Sequence, residues 1–125
     1  MPVLEVRALT QHPPIDVPAV LADLCTAVAE ADGCPAHQVW ATWHALRDGF
    51  YVEGTRTATV QPRETHPPLV RVMASAGRDP DRVAAILRAA AGSLSKSLSL
   101  DPGNVFVHYE ELPAGQVWSN GDLIR

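Results

Sequence analysis

The chain begins with the stretch Met1-Pro2-Val3-Leu4-Glu5-Val6-Arg7-Ala8-Leu9. In it the apolar residues at positions 4, 6 and 8 alternate with the charged residues Glu5 and Arg7, which is the period-two pattern of a β-strand with one buried face. Pro2 stands at the start of this strand, where proline is tolerated because the first residue needs no ladder N–H. The stretch therefore predicts a core strand that begins at the second residue.

Pro2 also has a possible chemical role. A small second residue favours removal of the initiator methionine, and removal of Met1 would leave a secondary amine at the start of a core strand. An α-amino group titrates at about 7.7–8.0 and loses basicity when it is desolvated or lies near a cation. Such an amine can act as a general acid/base near neutral pH. Taken alone, Pro2 is better explained as a residue that starts the strand than as an acid/base. The rest of the chain decides between these two interpretations.

The composition excludes several classes of function. The chain has 125 residues, enough for one domain, and a net charge of -4 without a basic run, so a nucleic-acid partner is not expected. No apolar segment approaches the roughly 20 residues that cross a bilayer, and no signal-peptide pattern is present, so we expect a cytoplasmic protein without a membrane partner. Cys25 and Cys34 have no metal-ligand or redox spacing, and we interpret them as reduced structural residues. No metal site is expected.

The first half of the chain predicts a β-α-β unit. After the first strand, Asp16 and Pro18 mark a helix start, because aspartate caps free N–H groups and proline fits the first turn. Apolar residues then recur at helical spacing over residues 17–28. Residues 39–46 are rich in β-forming side chains and predict a second strand. Residues 47–67 carry turn signals and predict a hairpin followed by a connector.

The second half repeats this pattern from Pro68 onward. Leu69 opens a strand, Asp79-Pro80 is a helix start, and residues 104–109 predict the last strand of the repeat. The two halves match without gaps at one constant offset, which places Pro68 on Pro2. The other equivalent pairs are Val6 and Val72, Val17 and Val83, Val20 and Ile86, Leu21 and Leu87, Val28 and Leu94, Val39 and Val105, Trp40 and Phe106, and Leu46 and Leu112. We interpret this match as a tandem duplication.

The duplication predicts an α+β fold, in which a tandem β-α-β repeat forms a four-stranded sheet with two helices on one face. It is expected to be a single domain made of residues 1–46 and 68–125, joined by the connector. The other face of the sheet carries Trp40 and Phe106. Since a lone subunit would expose these aromatic residues, we expect that a second subunit covers this face.

Three features together resemble the tautomerase superfamily, whose members are built from β-α-β units and carry an amino-terminal catalytic proline. They are the Met1-Pro2 start, the Gly77-Arg78 pair after the third strand, and the segment from Phe106 to Gly121. The second half is similar to a complete short 4-oxalocrotonate tautomerase subunit. The double length resembles that of cis-3-chloroacrylic acid dehalogenase and macrophage migration inhibitory factor, which form trimers. The resemblance covers nearly the whole chain and implies the tautomerase fold.

The resemblance also implies a function. The protein would be a homotrimeric tautomerase, without cofactor or metal, that acts on a small enolisable 2-oxo acid. Pro2 would be the catalytic acid/base, and Arg78 would bind a substrate carboxylate. His108 would supply a polar contact, while Phe106 and Trp118 would keep water from the reacting atoms.

Some positions depart from the family pattern. Pro68 matches Pro2 by position, but its nitrogen lies inside the chain, so only one site per chain is implied. Ser75 and Ser119 stand where chlorinated-acrylate dehalogenases need an arginine and a glutamate, which leaves a weak dehalogenase or hydratase as one alternative. A non-catalytic ligand-binding or signalling module on the same fold is the other, and it would not require removal of Met1. The residues that fit either the site or a subunit interface are Trp40, Trp43, Arg7 and Arg71.

Overall fold

The computed structural model describes all residues from Met1 to Arg125. Two long helices and one main sheet form the body of the chain, and two short hairpins extend from it. The elements are β1 (Val3–Ala8), α1 (Val17–Asp32), β2 (Trp40–Ala45), β3 (Val52–Glu53), β4 (Arg56–Thr57), β5 (Leu69–Ser75), α2 (Pro80–Ser97), β6 (Phe106–Leu112), β7 (Val117–Ser119) and β8 (Asp122–Ile124), with a 3-10 turn over Ala36–Gln38.

The main sheet has the strand order β2-β1-β5-β6. The outer pairs β1/β2 and β5/β6 are parallel, as each is joined through a helix, whereas the central pair β1/β5 is antiparallel. The start of β1 therefore lies beside the end of β5, and Val3 faces Met73. The predicted fold class is confirmed: the chain is α+β, with two helices and a mixed four-stranded sheet.

The alternation predicted for the first strand places its apolar residues in the core. Leu4, Val6 and Ala8 are all 0% exposed, because they point toward the helices. In β5 the buried residues Val70 and Val72 face the same side. The core is a single cluster that both helices and the sheet share: Leu4, Val6, Ala8, Val20, Leu24, Val28, Ala29, Val39, Val70, Val72, Ile86, Ala90, Leu94, Leu98 and Leu100.

The constant offset between the halves recurs in the three-dimensional structure. The strands of the two halves start at equivalent positions, Val3 and Leu69 in one case, Trp40 and Phe106 in the other. The backbone N–H of Trp40 donates to the Pro2 carbonyl, and that of Phe106 donates to the Pro68 carbonyl, each at 3.1 Å. The buried residues of the helices follow the same offset: Val20, Leu24 and Val28 in α1, and Ile86, Ala90 and Leu94 in α2.

The helix starts depart from the constant offset. Asp16 caps α1 by accepting from the Ala19 N–H at 3.2 Å, and Asp79 caps α2 by accepting from the Arg82 N–H at 2.8 Å. The cap of α2 therefore lies about one helical turn earlier than the offset predicts. The reason is local, since the Asp79-Pro80 pair starts the helix as soon as the chain leaves β5.

The strand limits also differ slightly from those predicted. The second strand is one residue shorter at each end than residues 39–46. The last strand of the repeat begins at Phe106 rather than at residue 104, and it continues to Leu112. Asn104 is excluded because its backbone N–H donates to the Asp101 carbonyl at 2.8 Å, which places it in a turn.

The connector forms the predicted hairpin and then packs on the Pro68 end of the sheet. β3 and β4 pair through Val52 with Thr57 and Glu53 with Arg56. His66 is 2% exposed, and its Nε2 lies 2.9 Å from the Arg56 carbonyl oxygen. The connector is thus held by polar contacts that its own backbone satisfies.

The sheet face opposite the helices is polar in its centre and aromatic toward its ends. Arg71 lies between Glu5, at 3.3 Å, and Glu110, at 2.6 Å. Trp40 is 47% exposed and Phe106 57% exposed on the outer strands.

No helix has the length and apolar character that a membrane crossing requires, and no three His, Cys, Asp or Glu side chains converge as metal ligands.

Candidate active site

An apolar pocket of about 120 Å³ lies at the edge of the sheet where the chain begins. The start of β1, the start of β2 and the ends of β5 and β6 meet there because β1 and β5 run antiparallel. The β7/β8 hairpin closes the pocket from the side. The lining residues are Met1, Val3, Trp40, Ser75, Leu112, Val117, Trp118, Ser119 and Ile124. Seven of these nine are hydrophobic, so the pocket suits an uncharged or largely apolar molecule.

The amino terminus of the chain lies in a desolvated environment near charged side chains. Pro2 is buried at the start of β1, where the Trp40 N–H fixes its carbonyl. Burial lowers the pKa of the Met1 amino group below its ordinary value of 8.0, and the nearby Arg78 guanidinium acts in the same direction. Asp32 opposes this shift because a negative charge favours the protonated amine. The net effect favours the neutral, basic form of an amine at this point.

Arg78 is present beside the amino terminus, but it is already paired. Its Nε donates to Asp32 Oδ1 at 2.6 Å, and its Nη2 donates to Asp32 Oδ2 at 2.8 Å. Its Nη1 donates to the Ser75 carbonyl at 2.9 Å. The side chains of Arg78 and Asp32 are only 14% and 4% exposed, so this is a buried ion pair. The pair lowers the pKa of Asp32, chiefly through the hydrogen bonds from Arg78.

Two further groups face this ion pair. The Tyr109 hydroxyl is buried and has no hydrogen-bond partner. Burial raises the pKa of Tyr109, whereas Arg78 lowers it, which places the phenol near the guanidinium. Burial also raises the pKa of the Cys34 thiol, and the Asp32 carboxylate adds to that rise. Cys34 is therefore held as a thiol, which is consistent with the structural role expected for it.

The predicted site residues do not all meet in one chain. Pro2, Arg78 and Trp118 belong to the edge of the sheet that holds the pocket. Phe106 and His108 lie elsewhere and line a shallow depression with Arg7, Leu69, Val70 and Arg71. In the strand register, Phe106 faces Leu69, which faces Arg7, so it lies five residues along β1 from Pro2. Within one chain, Phe106 and His108 cannot contact a substrate held beside Pro2, and their role in binding stays a prediction that requires a second subunit.

The repeat explains where Phe106 lies. Its equivalent residue, Trp40, occupies the corresponding place at the Pro2 end and lines the pocket. Trp43 faces the helices and packs against the core. Arg7 and Arg71 lie on the open face of the sheet, away from the pocket. The aromatic wall beside Pro2 is therefore formed by Trp40 and Trp118.

Asp32, Tyr109 and the apolar residues of the C-terminal hairpin were not predicted from the sequence. A signal for Asp32 was available, because an acidic residue at the last position of a helix is unfavourable next to the negative end of the helix dipole. Tyr109 carried no such signal, since it reads as an ordinary strand residue. Val117 and Ile124 enter the pocket only because the chain turns back at residues 120–121.

Several solved structures are similar to this chain. A fused 4-OT described as a symmetric trimer is 27% identical, with a TM-score of 0.81, and the match covers 98% of this chain and 94% of that one. A protein named Pt0534, inactivated by 2-oxo-3-pentynoate, is 17% identical with a TM-score of 0.83, over 98% and 94% of the two chains. A member of the cis-3-chloroacrylic acid dehalogenase family is 21% identical with a TM-score of 0.76, over 98% and 83%.

No protein-family model matches the sequence, and comparison with curated protein sequences finds no match. The relationship is therefore carried by the fold, since the similar structures are matched over nearly their whole length. The chain therefore has the fold of tautomerase-superfamily structures and matches the fused 4-OT structures over nearly their whole length.

Proposed function

We propose that this protein is a cofactor-independent tautomerase, in which the amino group of Pro2, freed by removal of Met1, is the general acid/base. The observation that carries the proposal is the position of the amino terminus, in an apolar pocket beside Arg78, where the pKa of an amine is lowered. Removal of Met1 would place the Pro2 nitrogen at the inner end of this pocket. The expected substrate is a small enolisable carbonyl compound, and 2-oxo acids are the class that the resemblance favours.

The proposed reaction moves one proton. The neutral Pro2 amine accepts the hydroxyl proton of an enol while the C–O bond becomes a carbonyl. The amine then delivers that proton to the carbon at the other end of the former double bond. Substrate and product are isomers, so atoms and charge balance without an oxidant, a reductant or water.

Residues in and beside the pocket support this chemistry. In this proposal Arg78 stabilises the negative charge that develops on the enol oxygen, a role supported by its electrostatic effect on the nearby amino terminus. Trp40, Trp118 and Leu112 form walls that exclude water and strengthen that interaction. Phe106 and His108 would reach a bound substrate only from a neighbouring subunit. We propose a homotrimer, which is supported by the exposed Trp40 and Phe106 and by the trimers described for fused 4-OT.

Dehalogenation is the less favoured chemistry. Ser75 and Ser119 both line the pocket, at the positions where the resemblance places the arginine and the water-activating glutamate of chlorinated-acrylate dehalogenases. Neither hydroxyl can act as a carboxylate base at neutral pH. We expect that 3-chloroacrylates release chloride slowly or not at all.

The test combines activity with the state of the amino terminus. Phenylenolpyruvate and 2-hydroxymuconate should be ketonised by protein whose measured mass corresponds to a chain beginning at Pro2. Incubation with 2-oxo-3-pentynoate, which inactivates one of the similar proteins, should abolish activity and add mass to the N-terminal peptide. If protein that retains Met1 turns over these enols equally fast, Pro2 is not the acid/base. If neither form turns them over, the binding-module alternative is favoured.

A further inference from the structure

Asp32 is a buried acid at a place that local structure disfavours. It is the last residue of α1, where the negative end of the helix dipole repels a carboxylate, and it is 5% exposed. The Arg82 Nη1 donates to its backbone carbonyl at 2.9 Å, which joins the end of α1 to the start of α2. An acid kept at such a position indicates a specific partner. That partner is Arg78.

The geometry of the pair limits what else Arg78 can bind. A guanidinium offers a carboxylate two parallel N–H groups on one edge, and Asp32 occupies the Nε/Nη2 edge with both of its oxygens. Nη1 donates to the Ser75 carbonyl at 2.9 Å and to Ser75 Oγ at 3.5 Å. Of the five guanidinium N–H groups, two are then held by Asp32 and two by Ser75, and the one left on Nη2 suits a single carbonyl or enol oxygen better than a bidentate carboxylate.

The charge balance leads to the same conclusion. Arg78 and Asp32 together carry no net charge, and a substrate carboxylate at Arg78 would also lie near the negative Asp32. Displacing Asp32 would leave a nearly buried carboxylate without a partner, which is strongly unfavourable. The pocket itself offers only two polar side chains, Ser75 and Ser119, and neither carries a charge.

We infer that Asp32 is a specificity-determining residue that acts through Arg78: by occupying the guanidinium, it makes the site select uncharged enols, such as those of 2-oxo esters, 2-oxo amides or ketones, over free 2-oxo acids. This inference rests on the proposed tautomerase function and narrows its substrate class. Arg78 then stabilises the developing enolate oxygen instead of anchoring a carboxylate.

The test uses two substrates that differ only in charge, phenylenolpyruvate and the enol of its methyl ester. The wild type should have the higher kcat/KM for the ester. Asp32→Asn keeps the size of the side chain but frees the Arg78 charge, and it should raise the acid-to-ester ratio of kcat/KM by about tenfold or more, because a charge-assisted contact becomes available to the acid. The matched control is Glu30→Gln, which removes an exposed charge from the same helix, two positions away, and should leave the ratio unchanged.

The inference is overturned if the wild type prefers the acid or if Asp32→Asn does not raise the acid-to-ester ratio. A general loss of structure would lower both rates together, so the ratio separates it from a change of specificity. If Asp32→Asn does not fold, the acid-to-ester ratio of kcat/KM for the wild type decides whether the inference holds. If the wild type turns over neither enol, the proposed function fails. The inference is then tested by the binding of phenylpyruvate and of its methyl ester, which tryptophan fluorescence measures. A preference for the ester there supports the inference, whereas a preference for the acid or the absence of binding overturns it.

Discussion

The Pro2 end and the Pro68 end of the sheet start from the same pattern and become different surfaces. Each begins with a buried proline whose carbonyl accepts a hydrogen bond from an aromatic residue's backbone N–H, Trp40 in one half and Phe106 in the other. At the Pro2 end the sheet edge remains open and forms the apolar pocket. At the Pro68 end the equivalents of Val3 and Trp40, Leu69 and Phe106, line only a shallow depression, and the connector packs on this end, where the Tyr51 hydroxyl donates to the Pro67 carbonyl at 2.6 Å.

The charged residues follow the same division. Arg78 and Asp32 form the buried pair beside Pro2. At the offset that relates the two halves, their equivalents are the exposed His12 and the core residue Leu98, which cannot form an ion pair. The comparison teaches that the β-α-β frame occurs twice, whereas the apolar pocket and the buried ion pair occur at the Pro2 end only. The following experiments test that difference.

The largest expected effect concerns the two prolines. An N-terminal extension that cannot be cleaved should lower turnover of an enol about a hundredfold or more, since it converts the Pro2 amine into an amide that cannot accept a proton. Pro68→Ala should leave turnover within a few-fold of the wild type, because its nitrogen is an amide already. Steady-state ketonisation rates measure both. Equal losses in the two variants would remove the proposed distinction between the ends.

The second effect compares two arginines. Arg78→Ala should lower the free energy of unfolding by about 3–5 kcal/mol, because the buried Asp32 carboxylate loses its partner. Arg71→Ala should lower it by about 0–1 kcal/mol, since Glu5 and Glu110 remain solvated. Urea denaturation followed by circular dichroism gives both values. A smaller loss for Arg78→Ala than for Arg71→Ala would contradict the buried character of the pair.

The third effect tests the Pro68 end of the sheet, on which the connector packs. Asn104 is 6% exposed, and its Nδ2 donates to the carbonyls of Pro62, Arg63 and Thr65 at 3.3, 3.1 and 2.9 Å. Asn104→Ala should cost about 1–3 kcal/mol of stability, because the hydrogen bonds of its nearly buried amide, worth about 0.5–1.5 kcal/mol each, are lost. The three carbonyls each keep a second donor, Gln61 Nε2 for Pro62 and Thr65 and the Asp101 N–H for Arg63. Turnover per folded molecule should not change, since the connector does not line the pocket. A loss of kcat in the folded variant would show that the two ends are coupled.

The smallest effect is the pH dependence at the open end. Burial, and then Arg78, lower the pKa of the Met1 amino group below its ordinary value of 8.0, and we expect both causes to act on the Pro2 amine after Met1 is removed. The active form is the neutral amine, so kcat/KM should rise as the pH rises through this lowered pKa. A pH–rate profile measures the midpoint. A midpoint above 8 would indicate that the amine is solvated or that Asp32 outweighs Arg78.

The local pattern of the sequence determined most of the fold. The alternation from Leu4 to Ala8 and the capping residues Asp16 and Asp79 act over a few residues, so they could be recognised without knowing what packs against them. The repeat that places Pro68 on Pro2 then determined that two β-α-β units share one sheet. Pro2 alone favoured a structural role, and it became the candidate acid/base only together with the repeat and the Gly77-Arg78 pair that the resemblance uses.

The tertiary structure alone decided how the site is composed. Phe106 and Trp40 are equivalent in the repeat, but the parallel pairing of β1 with β2 places Trp40 at the Pro2 end, whereas the antiparallel pairing of β1 with β5 places Phe106 at the opposite end of β1. Arg78 and Asp32 are 46 residues apart, and their pairing depends on the packing of the end of α1 against the loop after β5. Periodicity describes which face of an element is buried, but it contains no information on which ends of different elements meet. For that reason the sequence could suggest Arg78 as a candidate site residue and could not show that Asp32 is already paired with it.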